Sequence, residues 1–248
     1  MDINQKTLKI ALCFHAYPNN KLKNYLTEHQ DVVVPILGGS STNPIKTDSW
    51  VKEHCLFDDS GENISNLNKN INEMTVIYWV WKHYDEIGNP DYIGLNHYRR
   101  FFVLDDVKNF INNDNVDIIC KNEEKFDITL HNQYIKCHIQ DDLLTLYHYL
   151  KTKHNNNEND WYNVFVNVMN SKSFIGNNVF VMRRELFFEY CNFIFPILFD
   201  IIPLINISNR DDYQKRAVGF ISERLTYTFI FNKMTTHNVR KLPIIFEK

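Results

Sequence analysis

The chain has 248 residues, 44% of them hydrophobic and 14% aromatic, with only seven glycines and seven prolines; this excludes a disordered or fibrous polypeptide and leaves material for one sizeable core. Its formal net charge of −3 excludes a general polyanion binder, so nucleic acid is not an expected partner. The five cysteines (Cys13, Cys55, Cys120, Cys137 and Cys191) contain no C-x-x-C pair, which argues against a zinc knuckle or disulfide framework and for reduced thiols in a cytoplasmic protein.

The first residues, MDINQKTLKIALCFHAY, lack the cationic start and long apolar stretch of a signal peptide. Residues 8–14 read instead as a buried strand that stops at His15. Residues 32–37 form a second apolar run, a strand or extended segment, stopped by Gly38 and Gly39. From 38 to 70 the chain is rich in Gly, Ser, Asn, Asp and Thr and reads as a long loop of the kind that is functional or mobile. A helix is predicted from Ser65 or Asn66 to about Tyr84, with Met74, Ile77, Trp81 and Tyr84 on one stripe and Glu73 on a different face.

The turn Gly88-Asn89-Pro90 feeds a short buried strand, 92–95, that ends in Asn96, His97, Tyr98, Arg99 and Arg100. A helix over 106–112 and a strand over 116–120 follow. Helices over 141–153 and 161–169 are separated by the polar run HNNNEND, read as a surface loop. Residues 174–182 alternate like a strand and pass at Arg183 into a long helix. The densest apolar window, 191–207, carries Asp200 and is broken by Pro196 and Pro203, which favours a buried helix over a spanning one and leaves peripheral membrane contact as the alternative. A last helix (211–232) and strand (239–246) close the chain. Strands alternating with helices predict an α/β fold over 1–248, a single domain with a mostly parallel central sheet and a helical C-terminal part.

Two arginines and a histidine at a strand end face something polar or anionic, because ligands of open α/β sheets sit beyond the carboxyl ends of the strands. Arginine neutralises diphosphate oxygens through forked hydrogen bonds, and His97 could donate to a phosphate or ligate a metal. The bland alternative pairs Arg99 and Arg100 with Asp105 and Asp106 and leaves His97 as a core residue. On the last helix Asp212, Arg216, Gly219 and Glu223 share one stripe opposite Ala217, Val218, Ile221, Leu225 and Phe229. That stripe is either a solvated face or a cleft wall on which Glu223 or Asp212 deprotonates an acceptor hydroxyl. The acidic run from Asp58 to Asn63 lacks the ordered spacing of a calcium loop and reads as a surface turn. His131, Gln133, Tyr134 and His138 form a polar patch without the third ligand of a zinc site. Nucleotide-kinase, dinucleotide, serine-hydrolase and zincin signatures are absent.

Four motifs in order, NEMTVIYWVWKH, DYIGLNHYRRFF, NNVFVMRRELFFEYC and YQKRAVGFISERL, together resemble a bacterial domain-of-unknown-function family of capsule and exopolysaccharide loci, described as glycosyltransferases with a GT-A-like fold. The resemblance runs from Lys9 to Pro243. It implies a nucleotide-sugar donor, UDP-linked with galactose or galactofuranose as candidate sugars, and a glycan or lipid-linked acceptor at the inner face of the membrane. Where such enzymes carry the Asp-x-Asp that holds a divalent ion, this chain has Asn96-His97-Tyr98, so no metal is expected to be required and manganese is the ion to test. The resemblance then places His15, Glu73, Asn96, His97, Tyr98, Arg99, Arg100 and Arg216 at the donor. It places Gln133, Tyr134, His138 and Asn178 on the acceptor side, and Glu223, with Asp212 second, as the base. His97 with Arg99 or Arg100 is expected to supply the positive charge of a missing metal. A noncatalytic nucleotide-sugar or glycan-binding partner of a polysaccharide assembly complex is the competing reading. Oligomeric state is not legible.

Overall fold

The computed structural model describes residues 6–154 and 160–246. In chain order its elements are β1 (Leu8–Phe14), α1 (Asn20–Glu28), β2 (Val33–Leu37), α2 (Ser49–His54), β3 (Leu56–Phe57), α3 (Asn68–Ile71), α4 (Met74–Lys82), β4 (Tyr92–His97), β5 (Arg100–Phe102), α5 (Leu104–Asn113), β6 (Ile118–Lys121) and β7 (Glu124–Lys125). They continue as α6 (Leu130–Cys137), α7 (Gln140–Lys153), α8 (Trp161–Asn170), β8 (Ser173–Phe174), β9 (Phe180–Arg183), α9 (Arg184–Ile201), α10 (Ala217–Lys233), β10 (Val239–Leu242) and β11 (Ile244–Phe246).

The main sheet runs β10-β6-β9-β4-β1-β2-β3, with β5 and β11 attached at the end of β4. β1 is parallel to β2 and β4, β2 to β3, and β10 to β6, whereas β9 lies antiparallel between β4 and β6. The fold is therefore α/β with a mostly parallel sheet flanked by helices. Successive residues of a strand point to opposite faces, so β1 sends Ile10 and Leu12 to one apolar layer and Ala11 and Cys13 to the other. A strand buried on both faces has a near-continuous apolar sequence, which is why β1, β4 and β9 are legible as strands. At Gly94 in β4 an added Cβ would lie 2.9 Å from Val181 Cγ2 and 3.0 Å from the Phe180 carbonyl, so only glycine lets β9 approach.

Several boundaries differ from the sequence reading. α1 was not foreseen: its apolar stripe is only Leu22 and Leu26, too sparse to stand out. The 38–70 loop contains α2, β3, α3 and two short 3₁₀ turns. The single helix expected through 84 is cut at Asn72, whose φ of 52° ends α3 before α4 begins, and α4 is buried all round from Met74 to Val80 instead of along one stripe. The 174–182 strand is split into β8 and β9 by left-handed Asn177 and Asn178, and the last strand into β10 and β11 around Pro243. The polar run at 155–159 lies outside the described residues.

Among the described residues one helical segment, Arg184–Leu204, is long and apolar enough to cross a membrane, but 56% of its most apolar window is buried inside the protein. It packs against α4 and α10 as a core helix, with Phe199 and Leu204 left exposed.

Candidate active site

The site begins where β1 and β4 end side by side, with Cys13 in register with His97. The Tyr98 N–H donates to the Cys13 carbonyl at 3.0 Å, and the chain turns back at Tyr98 and Arg99 so that Arg100 pairs with His97 across the β4–β5 hairpin. This hairpin, not visible in the sequence, brings the two arginines beyond the strand ends. Facing it, the segment before α10 carries Arg216 and the first turns of α10 carry Glu223. Between them lies a cleft of about 760 Å³.

A buried polar network forms its floor. Glu73 stands between the Asn72 break and α4, and its Oε1 accepts from Asn178 Nδ2 at 2.7 Å; Asn178 Nδ2 also lies 3.2 Å from Ser222 Oγ, which donates to the Gly219 carbonyl at 2.7 Å. His97 Nε2 stands 4.0 Å from Glu73 Oε1. Burial pushes the Glu73 carboxyl above the usual carboxylate range, opposed by the hydrogen bonds it accepts and by Arg216 and Arg100. The Glu223 carboxyl is also raised, first by burial and then by Glu73, against the pull of Arg224. Its side chain is 18% exposed, enough to meet a ligand, and its Oε2 lies 3.6 Å from Arg224 Nη1.

Asn177 serves both reactive groups. In the left-handed region (φ 70°), its backbone faces the Glu223 carboxylate and His97, lowering the pKa of the first and raising that of the second against the larger effect of burial. Asparagine tolerates that conformation better than most residues, and two in succession mark a turn built around what its amides face. The Asn–Asn pair inside an otherwise alternating strand was the signal available in the sequence.

The cleft wall carries Lys69, Arg99, Arg100, Lys215, Arg216 and Arg224 against Glu73, Glu124, Asp212 and Glu223. Among the described residues neither Arg99 nor Arg100 forms an ion pair. Arg99 packs on the Tyr98 ring at 4.9 Å and Arg100 on the Phe246 ring at 5.1 Å, so the pairing with Asp105 and Asp106 is not made. Arg216 Nε donates to Asn72 Oδ1 at 2.9 Å, which holds that guanidinium at the rim without neutralising it.

His15, Glu73, His97, Tyr98, Arg99, Arg100, Gln133, His138, Asp212, Arg216 and Glu223 thus all line one cleft. Three other residues named from the sequence do not touch it. Asn96 and Tyr134 are fully buried, and Asn178 is 1% exposed. Asn96 accepts from the Phe102 N–H at 3.4 Å and so braces the hairpin, and Asn178 holds Glu73. Tyr134 lies under the Arg224 guanidinium, 5.1 Å from its ring centroid. Each supports the site from beneath instead of contacting a ligand.

Asp212 precedes α10 and does not share its face. Its side chain is fully in solvent and paired with Lys215 at 3.0 Å, which lowers its pKa and makes it a poor base. Of the stripe Asp212, Arg216, Gly219 and Glu223, the cleft-wall reading fits Arg216 and Glu223, which line the cleft, whereas Gly219 is buried and only Asp212 is solvated. His97 also differs from expectation. Burial and the neighbouring Arg100 push its pKa down to about 4, so at neutral pH it is an uncharged hydrogen-bonding group and the positive charge comes from the arginines alone. His138 is likewise lowered to about 4 by burial and by Arg224, and it stacks on Phe220 at 3.9 Å.

No group of three His, Cys, Asp or Glu side chains converges among the described residues. At the end of β4 the donor set is a buried amide, an imidazole and a phenol, which does not fit a carboxylate-held divalent ion. Asp58, from the acidic run, is wholly buried and accepts five hydrogen bonds, a structural knot and not a surface turn. His131 faces Tyr147 at 3.3 Å, away from His138's stack. Sequence reasoning passed over Lys69, Asn72, Asn177, Tyr213, Phe220 and Arg224, all on the cleft. Arg224 could not be told from a surface arginine; it is 2% exposed and donates to Gln133 Oε1 and the Phe220 carbonyl, both at 2.9 Å.

The family model described as a domain of unknown function (DUF4422) matches residues 10–234. No curated protein sequence matches the chain. Among solved structures, the apo form of the WbbM bifunctional glycosyltransferase superposes with a TM-score of 0.73 at 21% identity, covering 97% of this chain and 45% of that one. At that identity the likeness is one of fold, and the chain spans less than half the length of that structure's chain.

Proposed function

The chain belongs to the DUF4422 family, and from that premise we propose that it is a glycosyltransferase that moves a hexose from a nucleoside diphosphate donor, UDP-linked, to a hydroxyl of a glycan or lipid-linked acceptor in the assembly of a bacterial surface polysaccharide. The observation that carries this reading is the cleft beyond β1 and β4, where Arg99, Arg100 and Arg216 have no acidic partner among the described residues and share one cavity with Glu223, a half-buried carboxylate of raised pKa. The fold shared with the WbbM structure supports it. A cytoplasmic site of action goes with a nucleotide-sugar donor.

In this reading Glu223 takes the proton of the acceptor hydroxyl, whose oxygen bonds to the anomeric carbon as the bond from that carbon to the diphosphate breaks. The bonding electron pair leaves on the diphosphate oxygen, where Arg100, Arg216 and Lys69 stabilise the charge as it develops. A raised carboxyl pKa makes Glu223 a better base near neutral pH. Neutral His97 and buried Glu73 hold the floor, and Tyr213 with Phe220 offers an aromatic wall against which a sugar or base can stack. No divalent ion is invoked, because the groups at the end of β4 do not suit one.

The test is a thermal-shift panel of UDP-, GDP- and CMP-sugars with manganese or with a chelator. A ligand at a hundred times its Kd adds about 2.7 kcal/mol of stability. Stabilisation by a UDP-sugar that survives chelation is expected. No shift with any nucleotide sugar would overturn the donor assignment, and strict manganese dependence would overturn the arginine clamp. UDP binding with no transfer to any acceptor would favour the noncatalytic binding partner.

A further inference from the structure

A second cleft, of about 840 Å³, opens on the other side of the Tyr98–Arg99 turn. Its floor is Leu22 and Tyr25 of α1 with Phe101 and Phe102 of β5, and the Tyr25 and Phe101 rings pack at a tilt with centroids 5.0 Å apart. Its rim exposes Tyr17 (53%), Val103 (39%) and Ile245 (40%), three large apolar side chains left in water around one concavity. The Tyr25 hydroxyl is buried there with no hydrogen-bond partner among the described residues. Nothing in the transfer chemistry uses this cavity, yet Tyr98 and Arg99 line both clefts.

We propose that the second cleft holds the apolar chain of a lipid-linked acceptor. The acceptor sugar would then lie in the first cleft beside Glu223, with the anionic linkage between sugar and lipid crossing Arg99. The inference rests on the glycosyltransferase reading and names its acceptor class. Three features select this occupant over a second copy of the chain. The apolar surface is concave, it adjoins the polar cleft across the shared Tyr98–Arg99 wall, and the group on that wall is an arginine with no acidic partner among the described residues, placed where an amphiphile carries its phosphate. A sugar alone would leave the apolar wall wet, and a lipid alone would leave Arg99 unused.

Calorimetric titration of n-alkyl phosphates from hexyl to decyl, below micelle formation and with inorganic phosphate as the baseline, tests this. Each methylene buried in an apolar wall tightens binding about fourfold, so affinity should climb steeply along the series. In Val103→Glu and in Ile245→Glu, whose positions are exposed enough to accept a carboxylate, the climb should flatten, with the melting temperature of each variant reporting an intact fold. Alkyl phosphates binding no better than inorganic phosphate, or climbing equally in the variants, would overturn the proposal. So would a dimer seen by sedimentation that Val103→Glu dissolves, since the face would then belong to a second copy. UDP titrated in parallel separates the two failures: no UDP binding by the native protein sinks the transferase reading, whereas UDP binding without chain-length dependence sinks this inference alone.

Discussion

Replacing Asp58 by Asn removes one charge and one acceptor from the best-satisfied side chain near the cleft. Oδ1 accepts from the Ser40 N–H at 2.9 Å, from Ser40 Oγ at 2.8 Å and from Ser65 Oγ at 2.6 Å. Oδ2 accepts from the Gly39 N–H at 2.8 Å and from Thr75 Oγ1 at 2.6 Å. An amide has one oxygen. With that oxygen at the Oδ1 position, the NH₂ group confronts the Gly39 N–H; flipped, it confronts the Ser40 N–H. Either way one backbone donor is buried without an acceptor, at a cost of about 1–3 kcal/mol, and the remaining bonds lose their charge assistance. The sum is about 3 kcal/mol of lost stability. Urea denaturation followed by circular dichroism should show a lower midpoint at an unchanged slope. Donor affinity should fall with it, because the same carboxylate ties Gly39 and Ser40, beside Gly38 at the cleft, to Thr75 two residues beyond Glu73. A variant within about 1 kcal/mol of the native protein would refute the view that this carboxylate holds the loop to the start of α4.

Glu223→Gln should lower the rate of transfer by about 10²–10⁴-fold, the usual worth of a general base, while UDP binding persists; equal rates would remove Glu223 from the chemistry. Since burial raises the Glu223 pKa, the acid limb of the native rate profile should fall at a pH above the ordinary carboxylate range and disappear in Glu223→Gln. Acid should also unfold the protein through His97, whose pKa drops from 6.5 unfolded to about 4 folded. The unfolded chain binds the extra proton first, so stability is full above pH 6.5 and declines as pH falls towards 4, by no more than about 3 kcal/mol for this one residue. His97→Gln should make the melting temperature less sensitive across that window; an identical pH dependence would mean that His97 is charged in the fold. His138 acts in the same direction.

Local chemistry made much of this protein readable from its residues alone. Strands β1, β4 and β6 are apolar because both their faces are covered, and the cationic cluster at the end of β4 is contiguous in the chain, so strand and cluster can be recognised without knowing any partner. Glu223 and Arg216 are recognisable for the opposite reason, as polar groups within and just before an apolar helix. What the amino-acid order left open depends on contacts between residues far apart along it. Periodicity records which side chains avoid water, not which neighbour covers them, so it could not show that α10 is buried almost all round with Glu223 opening into the cleft, that Asp212 and Arg216 fall outside it, or that Arg224 is buried beneath Glu223. Nor could it show the break at Asn72, where Asn68 Nδ2 and the Thr75 N–H donate to the Asn72 carbonyl and Arg216 holds its side chain. The antiparallel insertion of β9 between β4 and β6 is likewise a choice of long-range pairing. It is that insertion which brings Asn177 and Asn178 under the cleft, the first to Glu223 and His97 and the second to Glu73.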